Sequence, residues 1–302
     1  MSLHHVWRLR HFLSIAENGS FHAASRALNI SQPALTKSIR ILEEEFGTAL
    51  FVRLPRGVCL TEPGETLLVR AREIDAAWNA CLVELGGQGR GLGGRIHIGG
   101  GPVYSAVYFP QLLAEMHGFF PNLRVSVSIG VGADLLPALK NGDLRAYAGG
   151  VPEGSEALGR DFETEVLTMQ ANSIFASRKH PLVAQDKIEI KDLLKYPWLS
   201  LYSGQYASFK IDQFFQKHGL PSPKLSIDAH SLQIGMTMLS EHNFIACMPE
   251  PLARCFPNAE LKNIGEDDFR WSMATGVSFQ KKDAEFPPIR FMLRALKRMT
   301  TA

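Results

Sequence analysis

The chain has 302 residues, 45% hydrophobic and 21% charged, with a formal net charge of +2. That length suits two or three domains with sizeable cores. No apolar run approaches the ~20 residues that cross a bilayer, and the first ten residues lack the apolar stretch of a secretory signal; a cytoplasmic protein with no membrane partner is expected.

Charge is uneven along the chain. Residues 1–60 hold seven basic side chains (Arg8, Arg10, Arg26, Lys37, Arg40, Arg53, Arg56) and four acidic ones (Glu17, Glu43, Glu44, Glu45), a surplus of three. Such a surplus permits phosphate contact, although a solvated surface can carry as much.

In chain order, Leu9, Phe12, Leu13 and Ala16 share one face of a first helix that stops near Asn18-Gly19. Ser20 is placed to cap a second helix, through about Leu28. After the turn Asn29-Ile30, Ser31 can cap a third, and Pro33 is tolerated in its first turn because no intrahelical donor is needed there. Leu35, Ile39, Leu42 and Phe46 give this third helix an apolar face, and Gly47 stops it. Residues 50–53 and 58–60 read as two short strands around Pro55-Arg56-Gly57. Three helices and a two-stranded wing make a winged helix-turn-helix over residues 4–61.

The other face of the third helix is polar. Gln32, Thr36 and Arg40 recur every four residues, flanked by Pro33 and Lys37. A recognition helix meets base edges near its N-terminus, where Gln can pair with adenine, Thr can touch a thymine methyl, and Arg can reach guanine or phosphate. Backbone N–H groups at Ser31 and Gln32 suit a phosphate oxygen, and Arg53 and Arg56 flank the wing. An ordinary solvated helix face is also polar; the wing and the basic surplus favour DNA.

The order Phe12-Leu13, Ala16, Gly19-Ser20-Phe21, Ala23-Ala24, Leu28, Ser31-Gln32-Pro33-Ala34-Leu35-Thr36 resembles the signature of LysR-type transcription regulators. The likeness continues through Ile39, Leu42-Glu43, Phe46-Gly47, Leu50-Phe51, Arg53, Arg56-Gly57, Leu60-Thr61 and Gly64. It implies a helix-turn-helix motif over residues 21–40, with Gln32, Pro33 and Thr36 in the base-reading region and promoter DNA as partner.

Residues 62–85 read as one long helix, capped by Thr61. Leu67, Ala71, Ile74, Trp78, Cys81 and Leu85 alternate spacings of four and three, a heptad seam suited to a partner helix. Packing on the chain's own core is the alternative, since Ala71 and Cys81 are weak seam residues. The family resemblance implies a dimer contact through this helix and commonly tetramers, with RNA polymerase a further candidate partner. Residues 86–94, Gly-Gly-Gln-Gly-Arg-Gly-Leu-Gly-Gly, read as a hinge.

Strand and helix patterns alternate from residue 95 to 302. Strands are expected at 95–98, 124–130, 169–177, 198–202, 244–248 and 271–280, and helices at 103–119, 133–141, 207–219, 231–240 and 288–299. The order resembles the LysR effector domain, which implies a periplasmic-binding-protein-like fold of two α/β lobes. Lobe I would span about 95–167 and 268–302, and lobe II about 168–267, with chain crossings near 166–170 and 266–271. Ligands in such folds lie outside strand ends and at helix starts. That points to Gly101, Pro102, Tyr104, Ser105, the loop 130–134, Ser200, Tyr202, Ser203, His230 and Ser231 as the contacts of an unidentified small-molecule effector. Arg145 stands where the family usually has Asp.

The glycines 99–101 fit neither a dinucleotide fingerprint nor a phosphate loop, and no G-x-S-x-G or H-E-x-x-H motif is present, so no enzyme and no cofactor is expected; a small-molecule-binding protein or enzyme without a DNA role is a further alternative. Cys59, Cys81, Cys247 and Cys255 form no C-x-x-C pair and no His accompanies them at zinc spacing, so no metal site is expected. Cys247, in an apolar run, reads as a buried small hydrophobe; a thiol-redox-sensing regulator using Cys247 and Cys255 is the alternative.

Overall fold

The computed structural model describes residues 6–54, 57–86, 94–151, 158–185, 187–201, 205–265 and 269–301. It divides into two compact units, Met1–Gly94 with Asn141–Asp143, and the remainder.

The first unit holds α1 (Val6–Asn18), α2 (Phe21–Leu28), α3 (Gln32–Phe46), β1 (Phe51–Arg53), β2 (Val58–Leu60) and α4 (Glu62–Gly86). Helix ends follow the local chemistry. Ser20 Oγ accepts from Ala23 N at 3.0 Å, and Ser31 Oγ accepts from Ala34 N at 3.3 Å. Between them Asn29 turns the chain in the left-handed region at φ 54°, which a short polar side chain tolerates. Thr61 Oγ1 accepts from Gly64 N at 3.0 Å and donates to Ala49 O at 2.7 Å, so one hydroxyl both caps α4 and ties it to the segment between α3 and β1. Val58 N donates to Gly19 O at 2.9 Å, stitching β2 to the first turn. Phe12, Ile15, Ala24, Leu35, Ile39, Leu42, Leu50 and Ala71 close the core. Phe46, expected in that core, is 41% exposed: it is the last residue of α3, beyond the layer that α1 and α2 cover.

The second unit is built on a mixed sheet with strands in the order β10 (Leu261–Asn263), β6 (Phe162–Ser177), β11 (Trp271–Gln280), β5 (Ala146–Gly150), β3 (Arg95–Gly100) and β4 (Arg124–Ile129), with β9 (Ala246–Pro249) also on β6. Here β3, β4 and β5 are parallel, joined through α5 (Phe109–Phe119) and α6 (Gly132–Lys140); parallel neighbours need such crossovers. β6 and β11 run antiparallel along each other from this first lobe into a second. The second lobe adds β7 (Trp198–Leu201), α7 (Gln205–Lys217), β8 (Leu225–Ala229), α8 (Leu232–Glu241), α9 (Glu250–Cys255) and β10, and α10 (Pro287–Thr301) closes the chain. The last six residues of β6 are all buried, as in a strand covered on both faces. Two cores fill the second lobe, one around Trp198 and Phe215, the other around Leu239 and Met248.

Three expectations are corrected. The helix expected at 103–119 carries a π-helical turn, Tyr104–Tyr108, just after its first residues. Pro110 has no N–H to bond the Ala106 carbonyl, and Cys255 Sγ donates to that oxygen instead, at 3.3 Å. Trp271–Ala274 pairs with Met169–Asn172 between the lobes, and residues 266–268 of the second expected crossing lie outside the described residues. β5 and β8 were absent from the expected elements, and β6 is one strand of 16 residues rather than a crossing followed by a short strand.

Candidate nucleic-acid interface and effector cavity

The amphipathic division of α3 is sharp. Leu35, Ser38, Ile39 and Leu42 are buried, while Ser31, Gln32, Pro33, Lys37 and Arg40 are exposed and Thr36 is half-buried. His11 Nδ1 and Ser38 Oγ, 2.8 Å apart, tie the buried side of α3 to α1. Arg40 pairs with Glu44 one turn on, Nε to Oε1 3.1 Å, with both side chains more than half exposed; such a pair contributes little to stability and releases its guanidinium readily. The face therefore offers donors and positive charge from the capped N-terminus onward. Arg56 lies outside the described residues, and of Arg53 only the backbone, in β1, is described.

On α4 the heptad seam divides. Ala71 is fully buried in the unit's own core with Leu67 packed against it, so the first half of the expected seam is already occupied. Ile74, at 42% exposure, Trp78, at 57%, and Cys81 face outward. The side chain of Leu85 lies outside the described part.

Within the second unit a cavity of about 1020 Å³ opens between the lobes. The first lobe contributes Gly101 to Tyr104, Val131 to Ala133, Leu136, Tyr147 and Gly149 to Val151; the crossing strands contribute Gln170, Asn172 and Trp271 to Ala274; the second lobe contributes Leu201, Phe209, Cys247, Pro249 and Leu252. Tyr104 Oη donates to Thr275 Oγ1 at 3.2 Å, and burial pushes its phenol up to about 12. Burial pushes the Tyr147 phenol further up, against a hydrogen bond at the Gly150 backbone. A Cβ on Gly149 would collide with the Tyr147 hydroxyl, so this glycine makes room for the ring. Asn172, only 4% exposed, donates through Nδ2 to Gln170 O at 3.3 Å. Burial raises the Cys247 thiol to about 12 despite a hydrogen bond with Trp271.

Of the expected effector contacts, Gly101, Pro102, Tyr104 and the loop residues 131–133 line this cavity. Ser105, Ser200, His230 and Ser231 are not among the described residues that line it. Ser105 Oγ donates back to Gly101 O and Pro102 O at 2.9 and 3.1 Å, and Ser231 Oγ caps α8 by accepting from Ile234 N at 3.5 Å. His230 is exposed, 3.5 Å from Asp228. Tyr202 and Ser203 lie outside the described residues. Tyr147, Gln170, Asn172, Trp271 and Met273 also line the cavity and are not among the expected contacts.

Residues 7–65 match the family of bacterial regulatory helix-turn-helix proteins of the lysR family, and residues 89–300 match the LysR substrate binding domain. The chain belongs to the LysR family. The SDS degradation transcriptional activation protein of a Pseudomonas species is 29% identical over 80% of this chain and 78% of its own length. The transcriptional activator IlvY of Salmonella typhimurium is 26% identical over 93% and 95%. Full-length CbnR, solved with its target DNA, superposes with a TM-score of 0.64 at 17% identity, covering 97% of this chain and 99% of its own. This LysR-family chain is accordingly a DNA-binding transcription regulator with an effector-binding domain, and its relatives are regulators rather than enzymes. Its departure at Arg145 is locally matched: Arg145 Nη1 lies 2.7 Å from Asp283 Oδ1, both side chains nearly buried, and the guanidinium sits 4.7 Å from the Phe286 ring centre. No helix among the described residues is long and apolar enough to cross a membrane.

Proposed function

We propose that this regulator reads promoter DNA in the cytoplasm through the exposed face of α3, as a homodimer or pair of dimers, and answers a small molecule held between the two lobes of its effector domain. Gln32, Pro33 and Thr36 meet base edges, while Ser31, Lys37, Arg40, Arg53 and Arg56 hold phosphates. The observation that carries this reading is the clean split of α3, with its polar residues outward from the capped N-terminus. The outward side chains Ile74, Trp78 and Cys81 on α4 support self-association, since an exposed tryptophan on a long helix invites burial. Two-fold pairing of heads matches a two-fold related DNA site. The lined cavity supports the effector reading, with occupancy shifting the balance between lobe arrangements and so the DNA-bound state. RNA polymerase is the further partner.

The experiment is quantitative retention of a promoter fragment and its point variants by the full chain and by Gln32→Ala. Loss of a bidentate base contact costs about 1–3 kcal/mol at one position per half-site. The variant should therefore lose discrimination at that position and keep it elsewhere. Uniform weakening across every fragment would place Gln32 on the DNA backbone alone.

A further inference from the structure

The interlobe cavity has walls that do not suit a charged guest. Among the described residues that line it there is no Asp, Glu, Lys, Arg or His. Four aromatic rings, Tyr104, Tyr147, Phe209 and Trp271, share the wall with Met273 and aliphatic side chains. Polarity comes from neutral groups, chiefly the amides of Gln170 and Asn172 and the Ser272 hydroxyl. The ionisable side chains present, Tyr104, Tyr147 and Cys247, are all held in their uncharged forms by burial.

One feature could favour an anion: the start of α6, whose residues Gly132 and Ala133 reach the cavity. Asp134 stands in that first turn and already sets a carboxylate against the helix dipole, close enough to act on the Tyr147 phenol. The sequence of residues 152–157, which follows Val151 of the lining, holds two glutamates and no basic residue, and residues 202–204, which follow Leu201, hold no charge. A carboxylate or ammonium entering such a site would meet no charged side chain among the described lining residues, so stripping its water is not offset there. An uncharged molecule meets no such penalty and gains from apolar burial.

We propose that the effector of this protein is an uncharged small molecule with an aromatic or compact apolar body and one amide- or hydroxyl-like end that pairs with Gln170 and Asn172. This rests on the reading that the effector occupies the interlobe cavity, and it adds the chemical class of the guest. The aromatic body would stack among Tyr104, Phe209 and Trp271. The polar end would find amide groups that can both donate and accept.

The test is calorimetric titration of the full chain at pH 7.5 with three probes that share one ring system: 2-naphthamide, 2-naphthoate and 2-naphthylmethylammonium. The expected result is saturable binding of 2-naphthamide, at least tenfold tighter than either charged probe. Gln170→Arg should invert that order in favour of 2-naphthoate. Ser272→Arg, made at an exposed lining position, should do the same if the first variant fails to fold. Binding of 2-naphthoate or the ammonium probe to the unaltered chain as tightly as the amide overturns the uncharged class. Binding of none overturns the aromatic-body assignment. A tenfold preference for the amide that neither arginine variant alters also overturns the proposal, and it does so by moving the guest out of the cavity, which separates failure of the site from failure of the class.

Discussion

The two surfaces proposed for recognition in this regulator are built in opposite ways. The α3 face is one continuous run of side chains on one helix, exposed and cationic, and it keeps its water until DNA arrives. The interlobe cavity is gathered from separate segments between Gly101 and Ala274, is walled by apolar and neutral groups, and would withdraw a guest from solvent. The difference follows from the partners. A polyanion is met by mobile surface charge, whose attraction acts over the Debye length and is weakened by salt. A small guest must be gripped by shape and a few placed hydrogen bonds, so its walls have to be rigid and correctly spaced. On the proposed function, the head depends on what α3 presents, and the effector domain depends on how its strands pack.

The sharpest way to break that contrast is at Arg145. Its ion pair with Asp283 lies inside the effector unit, where burial pushes the Asp283 carboxyl up more strongly than Arg145 and Lys282 pull it down. Removing one partner strands the other. Arg145→Ala should cost about 3–5 kcal/mol of effector-domain stability, read by thermal or denaturant unfolding. The double change Arg145→Met with Asp283→Leu should recover most of it, because an apolar pair of similar volume avoids the desolvation. In the head, Arg40→Ala removes an exposed pair and should leave unfolding nearly unchanged while weakening DNA retention. A large stability loss at Arg40, or none at Arg145, would erase the distinction between the two units.

Acid provides a second, smaller test. His11 in the head and His180 in the effector unit are both held below the usual imidazole range, chiefly by burial, with Arg10 and Arg8 adding to the effect at His11. Each fold prefers the neutral ring, so the unfolded chain takes up the proton first as pH falls. The stability that each provides is complete above about 6.5, the ordinary histidine value, and declines below it as pH falls toward the folded value. His11→Asn and His180→Asn should each flatten the unfolding profile of their own unit below pH 6.5. A profile that stays equally steep in His180→Asn would assign the acid sensitivity to other groups.

How far these features could be read from sequence follows the same division. The caps Ser20, Ser31 and Thr61, the stop at Gly47 and the outward set Gln32, Lys37 and Arg40 all depend on neighbours within a few positions, so local rules reach them. β5 escaped because Ala-Tyr-Ala-Gly-Gly carries little strand propensity; its place is made by pairing with β3 and β11. With it went Tyr147, whose ring needs the bare backbone of Gly149. Ser105 and Ser231 misled for a related reason. A hydroxyl beside a helix start looks available to a ligand, and only coordinates reveal that the backbone already holds it. Gln170 and Trp271 belong to strands that cross between lobes, and their convergence is a property of the β6–β11 register. Ala71 matched a seam by spacing alone, yet its small side chain suited the head's own interior.

The smallest expected effect concerns the thiols. Cys247 faces the cavity from β9, and burial raises its thiol to about 12, far above the working pH. Little of such a thiol is ionised near neutral pH, and the thiolate is the reactive form. Cys59, Cys81 and Cys255 are exposed. Brief treatment of the folded chain with iodoacetamide, followed by peptide mass spectrometry, should modify these three well before Cys247. Cys247→Ser should likewise leave DNA retention after mild peroxide the same as in the unaltered chain. Early modification of Cys247 would mean that the cavity wall ionises in place. That result would weaken the redox-inert reading of the thiol and the picture of an uncharged lining together, because both rest on the same burial.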